Sequence, residues 1–226
     1  MTLVSVVIPA FNEAGPLPAT LAAVAALGPD EVIVVDDGSS DGTGAAAAKR
    51  GAAVVRLPFN MGKGAALTAG VRASRGEVLL FLDADLGASA SEAAKLLHPV
   101  LAGRADMAVG AFPRGARPSG FGLVQGVARL AVRGLTGLEM ASPLSGQRAV
   151  RRAVLERIGP LARGFGVDAA LTVDAARAGF RVVEVPVDMR HRRTGRDAAG
   201  FLHRGRQLAH LFGALAPRLL RRAAAP

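Results

Sequence analysis

Short runs of valine, isoleucine and leucine recur along the first half of the chain, and alanine-rich stretches with helical spacing fill the gaps between them. Residues 3–8, 31–35, 53–57, 78–82 and 107–111 are predicted as strands, and residues 17–27, 43–50 and 63–74 as the helices that join them. The strand runs are near-continuous in apolar residues rather than alternating, as expected of strands buried on both faces. A mostly parallel α/β sheet flanked by helices follows. Beyond residue 112 the pattern changes to a Gly/Pro/Arg loop at 113–122, an apolar helix over 121–138, helices at 151–158 and 167–178, and a strand at 181–187. An amphipathic helix is predicted from about residue 198 to 220, with Pro217 obscuring its end. No repeat and no long Ser/Gly/Pro linker interrupts the series, so residues 1–226 are expected to form one domain with halves at 1–112 and 113–226.

In such sheets ligands collect at the carboxyl ends of strands, and the polar segments fall there: 9–15, 36–42, 58–64 and 83–87. The most informative of them is Asp83-Ala84-Asp85. Alternation puts both carboxylates on one side of an extended backbone, where they repel unless a cation or donors sit between them. Hard oxygen ligands of this kind suit Mg2+ or Mn2+, ions that bridge protein carboxylates to a diphosphate. A lone Asp-x-Asp would equally be a solvated loop, so its neighbours decide. Asp36 and Asp37 can accept hydrogen bonds from a base N–H or ribose hydroxyls, or cap the next helix, and Gly38 lets their turn close. Gly62-Lys63-Gly64, at a helix start, offers backbone N–H groups and an ammonium to an anion. It is not a P-loop, because Leu57 stands where that motif's first glycine belongs and Gly64 replaces its Ser/Thr.

Composition narrows the partners. The chain has no cysteine, so any metal is held by oxygen or histidine. No basic leader opens it and no apolar stretch is long enough to cross a membrane, so a soluble or peripheral protein is expected. The net charge of +10 is uneven: residues 1–113 carry 8 basic and 11 acidic side chains, residues 114–226 carry 20 and 7. A basic second half calls for an anionic partner. With no Trp or Tyr for stacking and no binding motif, nucleic acid is not expected.

The segments Pro9-Ala10-Phe11-Asn12-Glu13, Val35-Asp36-Asp37-Gly38-Ser39-Ser40-Asp41-Gly42-Thr43, Asn60-Met61-Gly62-Lys63-Gly64 and Asp83-Ala84-Asp85 together resemble the family 2 glycosyltransferases, which have the Rossmann-like GT-A fold. The resemblance implies an inverting sugar transfer from a UDP-sugar or GDP-sugar. The nucleotide would lie on Pro9, Ala10, Asn12, Glu13, Asp36, Asp37, Ser39, Gly62, Lys63, Asp83 and Ala84, and Mg2+ or Mn2+ on Asp83 and Asp85. In the second half, Pro143-Leu144-Ser145-Gly146-Gln147-Arg148-Ala149, Gly164-Phe165-Gly166-Val167-Asp168 and Val185-Pro186-Val187-Asp188-Met189-Arg190-His191-Arg192 look like acceptor segments of polyprenyl phosphate glycosyltransferases and of glucosyl or mannosyl phosphoglycerate synthases. This implies a phosphate-bearing acceptor held by Arg117, Arg129, Ser145 and Arg148, and His191 as a further metal ligand. The basic stretch 190–196 is a candidate lid. By itself, a histidine between arginines is equally a surface residue. Asp168, at a helix start, is the candidate catalytic carboxylate beside Asp85. It would take the proton of an acceptor hydroxyl, merely orient a phosphate acceptor, or cap its helix.

The C-terminal helix has three docking options: its own domain, a second subunit in a homodimer, or an anionic membrane surface. A cytoplasmic enzyme, free or at the inner face of the membrane, fits these features. Two other classes stay open, a non-catalytic nucleotide-sugar binding module and a basic membrane-surface adaptor.

Overall fold

The computed structural model describes residues 2–112, 122–162, 164–190 and 213–218. Seven strands form one sheet: β1 (Val4–Ala10), β2 (Glu31–Asp36), β3 (Ala53–Arg56), β4 (Val78–Phe81), β5 (Met107–Ala111), β6 (Arg148–Arg151) and β7 (Val182–Pro186). Their order across the sheet is β3-β2-β1-β4-β6-β5-β7. Every neighbouring pair is parallel except those of β6, which runs antiparallel to both β4 and β5. The helices are α1 (Leu17–Ala25), α2 (Thr43–Ala48), α3 (Lys63–Ala73), α4 (Ala94–Leu101), α5 (Gly122–Thr136), α6 (Arg152–Ile158) and α7 (Val167–Arg177).

Alternation along each strand feeds two cores, one per sheet face. Val6, Ile8, Leu80 and Leu82 pack with Leu17, Leu21 and Val24 of α1 and Leu96 and Val100 of α4. Val7, Leu79, Phe81 and Val109 pack with Leu67 of α3, Val124, Ala128 and Val132 of α5, and Leu171 of α7. Truncating a fully buried leucine such as Leu80 or Leu96 to alanine costs about 2–5 kcal/mol in sites of this kind. Burial on both faces explains why the strands read as continuous apolar runs.

Two elements lie where the apolar pattern predicts nothing. The first is a 3-10 turn, Gly87–Ala93, leading into α4. Its alanines and serines give little contrast between faces, and Pro99 inside α4 looks like a helix breaker. The second is β6. Arg148-Ala149-Val150-Arg151 reads as surface, yet it lies between β4 and β5 with Phe81 opposite Arg148.

The predicted loop 113–122 falls outside the described residues apart from Gly122, the first residue of α5, and so does most of the 198–220 helix. Its residues 213–218 are helical and dock on their own domain. Leu215 joins the core beneath α5 and α7, and Arg218 Nε donates to Asp174 Oδ1 at 2.8 Å.

The connections set the site. From β1 to β3 the chain builds outward, then α3 crosses the opposite face and delivers β4 to the far side of β1. The order therefore reverses between β1 and β4. In open α/β sheets the crevice at such a reversal, at the carboxyl ends of the strands, is where ligands bind.

Candidate active site

At the carboxyl ends of β1, β2 and β3, backbone amides organise the predicted nucleotide loops. Asp36 and Asp37, 2% and 4% exposed, each serve a neighbouring turn. Asp36 Oδ1 accepts from Ser39 N at 2.8 Å, while Asp37 accepts from Met61 N at 2.7 Å and Gly62 N at 2.8 Å. Asp37 thereby ties the β2 loop to the turn that opens α3. Gly38 has φ of 75°, and a Cβ on it would stand 2.5 Å from the Phe59 carbonyl carbon, so only glycine lets the two loops meet. Asn12 sits at φ 55°, a left-handed conformation that asparagine tolerates. Its amide N donates to Ser39 Oγ at 2.9 Å, and its Oδ1 accepts from Ser40 N at 3.0 Å. Glu13 N donates to Thr43 Oγ1 at 2.9 Å. Pro9 and Ala10 are the last residues of β1, directly beside Val35 and Asp36.

Side chains, not backbone, organise the region after β4. Lys63 Nζ donates to Asp83 Oδ1 at 2.9 Å and lies 3.3 Å from Asp168 Oδ2. Arg148 Nε lies 3.8 Å from the other Asp168 oxygen. Burial by itself would lower the Lys63 pKa, but the charges of Asp168 and Asp83 outweigh it and the pKa stands above the ordinary lysine value. For Asp168, burial raises the carboxyl pKa beyond what Lys63 and Arg148 pull back. Asp83 Oδ2 accepts from Gln147 Nε2 at 2.7 Å, so both oxygens of Asp83 have donors. Ala84 is held from the other core: Thr20 Oγ1 donates to its carbonyl at 2.8 Å and accepts from Gly87 N at 2.8 Å. Asp85 is half-buried at the rim.

The expected residues separate into three groups. The nucleotide and metal candidates Asn12, Glu13, Asp36, Asp37, Ser39, Gly62, Lys63, Asp83 and Asp85 all come from loops at one sheet edge, and Asp168 meets them through Lys63. Among the described residues, the acceptor candidates Arg129, Ser145 and Arg148 do not gather as a phosphate cradle. Arg148 is fully buried, and its guanidinium donates to Ser145 O at 2.8 Å, Pro143 O at 3.0 Å and Thr172 Oγ1 at 2.8 Å. Ser145 is likewise fully buried. Both side chains are folded into the turn that enters β6, where their partners come from the protein itself. Arg129 is exposed on α5, bonded to Ala141 O at 2.9 Å and Gln125 Oε1 at 3.1 Å. Arg117 and His191 lie outside the described residues, as does the candidate lid beyond Arg190.

Gln147, Gly146 and Thr20 were not among the predicted site residues. Gln147 and Gly146 stand inside a quoted motif with no role attached, and Thr20 inside a predicted helix gives no signal. A cavity of about 850 Å3 lies at the opposite sheet edge, where α5, α6 and α7 end. Arg133, Arg157 and Arg177 line it and stand in the last turns of those helices, where a cation complements the helix dipole. The Arg177 guanidinium already donates to Leu135 O and Arg218 O.

Comparison with known proteins supplies the affiliation. A sequence profile described as Glycosyl transferase family 2 matches residues 5–159. An uncharacterized glycosyltransferase of Mycobacterium tuberculosis is 35% identical over 216 residues, covering 92% of this chain and 94% of that protein. Polyprenol monophosphomannose synthase of Mycolicibacterium smegmatis is 36% identical over 208 residues, covering 84% and 78%. Among solved structures, glucosyl-3-phosphoglycerate synthase of Mycobacterium tuberculosis, crystallised with Mn2+, UDP and phosphoglyceric acid, superposes with a TM-score of 0.81 at 28% identity over 96% of this chain and 78% of that one. With strand-end loops at the reversal point and matches along most of its length, this chain belongs to glycosyl transferase family 2.

Proposed function

We propose that the chain moves a sugar from a UDP-sugar or GDP-sugar to a phosphate-bearing acceptor, of phosphoglycerate or polyprenyl phosphate type, with Mg2+ or Mn2+. The observation that carries this reading is the meeting, at the β1/β4 reversal, of an amide-ordered carboxylate loop, a lysine at a helix start and the Asp83–Asp85 pair. The relatives that bind UDP with Mn2+ and phosphoglyceric acid, or that bear the name of a polyprenol phosphate product, support the two acceptor types.

The donor set fits the ion. Mg2+ and Mn2+ take hard oxygens, commonly one or two carboxylates plus phosphates of the substrate. Asp83 and Asp85 offer such oxygens, and the bonds to Lys63 and Gln147 aim the Asp83 carboxylate. Among the described residues no three carboxylate or histidine side chains converge, which suits an ion completed by diphosphate oxygens, with His191 as a further candidate. When bound, the ion would offset charge on the departing diphosphate. Lys63 adds a fixed positive charge on the same side, held in place by Asp83 and Asp168. Asp168 is 5% exposed and faces two cations, so it suits orienting Lys63 and the acceptor better than acting as a freely accessible base. Asp36 and Asp37 order the nucleotide loops, Pro9, Ala10, Asn12 and Glu13 wall them, and exposed Arg129 remains the described candidate for the acceptor phosphate.

No described helix is long and apolar enough to cross a membrane. The test is a donor and acceptor screen read by nucleotide release, paired with thermal stabilisation by UDP and GDP with and without Mn2+. The expected result is a metal-dependent rise in melting temperature with one nucleotide, and its release only when a phosphate-bearing acceptor is present. Stabilisation without release from any donor would favour the non-catalytic binding module. Vesicle binding that survives Asp85→Ala with no nucleotide effect would favour the membrane adaptor.

A further inference from the structure

We propose that Gln147 is a positioning residue for the metal-binding carboxylate, an inference that rests on the glycosyl transfer reading above. Gln147 is fully buried and opens no path to substrate, yet its Nε2 donates to Asp83 Oδ2 at 2.7 Å. The opposite oxygen of the same carboxylate takes Lys63 Nζ at 2.9 Å. Asp83 is therefore gripped from both sides, and its rotation about the Cβ–Cγ bond is fixed before any ligand arrives.

Every neighbour of Gln147 serves this grip. Ser145 Oγ donates to its amide oxygen at 3.4 Å, and a carboxylate facing the other end fixes which end of the amide carries nitrogen. Its backbone carbonyl accepts from Gly110 N at 2.9 Å, which anchors the residue to β5. Gly146 brings the segment close enough: a Cβ there would stand 2.2 Å from Lys63 Nζ and 2.9 Å from Asp83 Oδ1. A side chain at that position would push Lys63 and Asp83 out of this arrangement. Ser145 thus takes part in orienting Gln147.

The chemistry asks for an amide in particular. Lys63 and Arg148 already balance Asp83 and Asp168 inside the protein. A second cation on Asp83 would quench the negative charge that attracts a divalent ion, and a carboxylate would add buried repulsion. A neutral donor orients Asp83 and leaves its charge intact. Residues that orient a metal ligand in this way shift metal affinity by about 10–100-fold when removed.

The experiment compares wild type with Gln147→Met and Gln147→Glu, both of similar volume, in the full chain. Mn2+ binding is followed by the electron paramagnetic resonance signal of free Mn2+, in the presence of whichever of UDP or GDP stabilises the wild type. Nucleotide release with donor and acceptor is followed in parallel as a function of Mn2+. The expected result is a rise of about tenfold in the Mn2+ needed for half-saturation in Gln147→Met, a larger rise in Gln147→Glu, and an unchanged acceptor KM. A side chain that only fills space would leave both variants close to wild type. Mn2+ affinity within twofold of wild type in a folded Gln147→Met protein overturns the inference. A variant that does not fold is replaced by Ser145→Ala, expected to show the same direction with a smaller shift, and wild-type Mn2+ affinity in that protein also overturns it. A wild type that binds no Mn2+ with either nucleotide and releases none overturns the transfer reading itself, and the inference with it.

Discussion

The loops after β1, β2 and β3 and the cluster after β4 both carry buried carboxylates, but they stabilise them by opposite means. Asp36 and Asp37 take their hydrogen bonds from amides of Ser39, Met61 and Gly62, and among the described residues the exposed Arg56 adds a side-chain charge 3.8 Å from Asp36. Asp83 and Asp168 are served by side chains of Lys63, Gln147 and Arg148, drawn from α3 and from the start of β6. An amide donor is present whatever residue other than proline bears it, so the first region tolerates changes in its neighbours. A side-chain donor vanishes with its residue, so the second region fails as a unit.

The sharpest way to break this contrast is to remove Arg148. Arg148→Met should destabilise the protein by about 3–5 kcal/mol, because Asp168 and two carbonyls lose a buried partner. Denaturant unfolding measures it, and Arg148→Met combined with Asp168→Leu should recover part of the loss. A cost below about 1 kcal/mol would place Arg148 outside the network.

Asp37→Ala should cost less, about 1–3 kcal/mol, as two amides are orphaned, together with loss of the thermal shift produced by nucleotide. Replacing Met61, which contributes only its backbone to that contact, should leave stability within about 0.5 kcal/mol. Equal effects at the two positions would erase the distinction between amide-held and side-chain-held carboxylates.

Asp85→Ala reads function. Asp85 is half-buried at the rim, so its removal should abolish metal-dependent nucleotide release, by roughly 100-fold or more, with little change in melting temperature. The smallest effect is expected at the far cavity: Arg157→Ala should leave release unchanged and stability within about 0.5 kcal/mol. A marked loss of release there would show that the cavity communicates with the transfer site.

The same contrast explains what was readable beforehand. The first half announces itself because its strands are apolar runs and its loop carboxylates take their donors from backbone amides. Asp36 with Ser39 is local, and Asp37 with Met61 and Gly62 joins the ends of two neighbouring strands. Arg148 hid because its acceptors, the carbonyls of Pro143 and Ser145 and the hydroxyl of Thr172, are set by chain tracing and not by residue type. Four residues with arginine at both ends do not look like a central strand. Gln147 hid for a related reason, since its partner Asp83 lies 64 residues away. Sequence marked the carboxylates and not the donors that aim them.

The reversed direction of β6 has a consequence for how such a protein can diversify. Its neighbours bring their ends to the catalytic edge, whereas β6 brings its beginning, with Arg148 opposite Phe81. The chain between β5 and β6 therefore leaves that edge and returns to it, and the return is fastened by hydrogen bonds and not by the path taken. Chain exchanged on the catalytic side of that connection would leave the strand start in register. The fold thus separates a fixed hand, the fastened strand start, from a replaceable sleeve, the connection that leads to it.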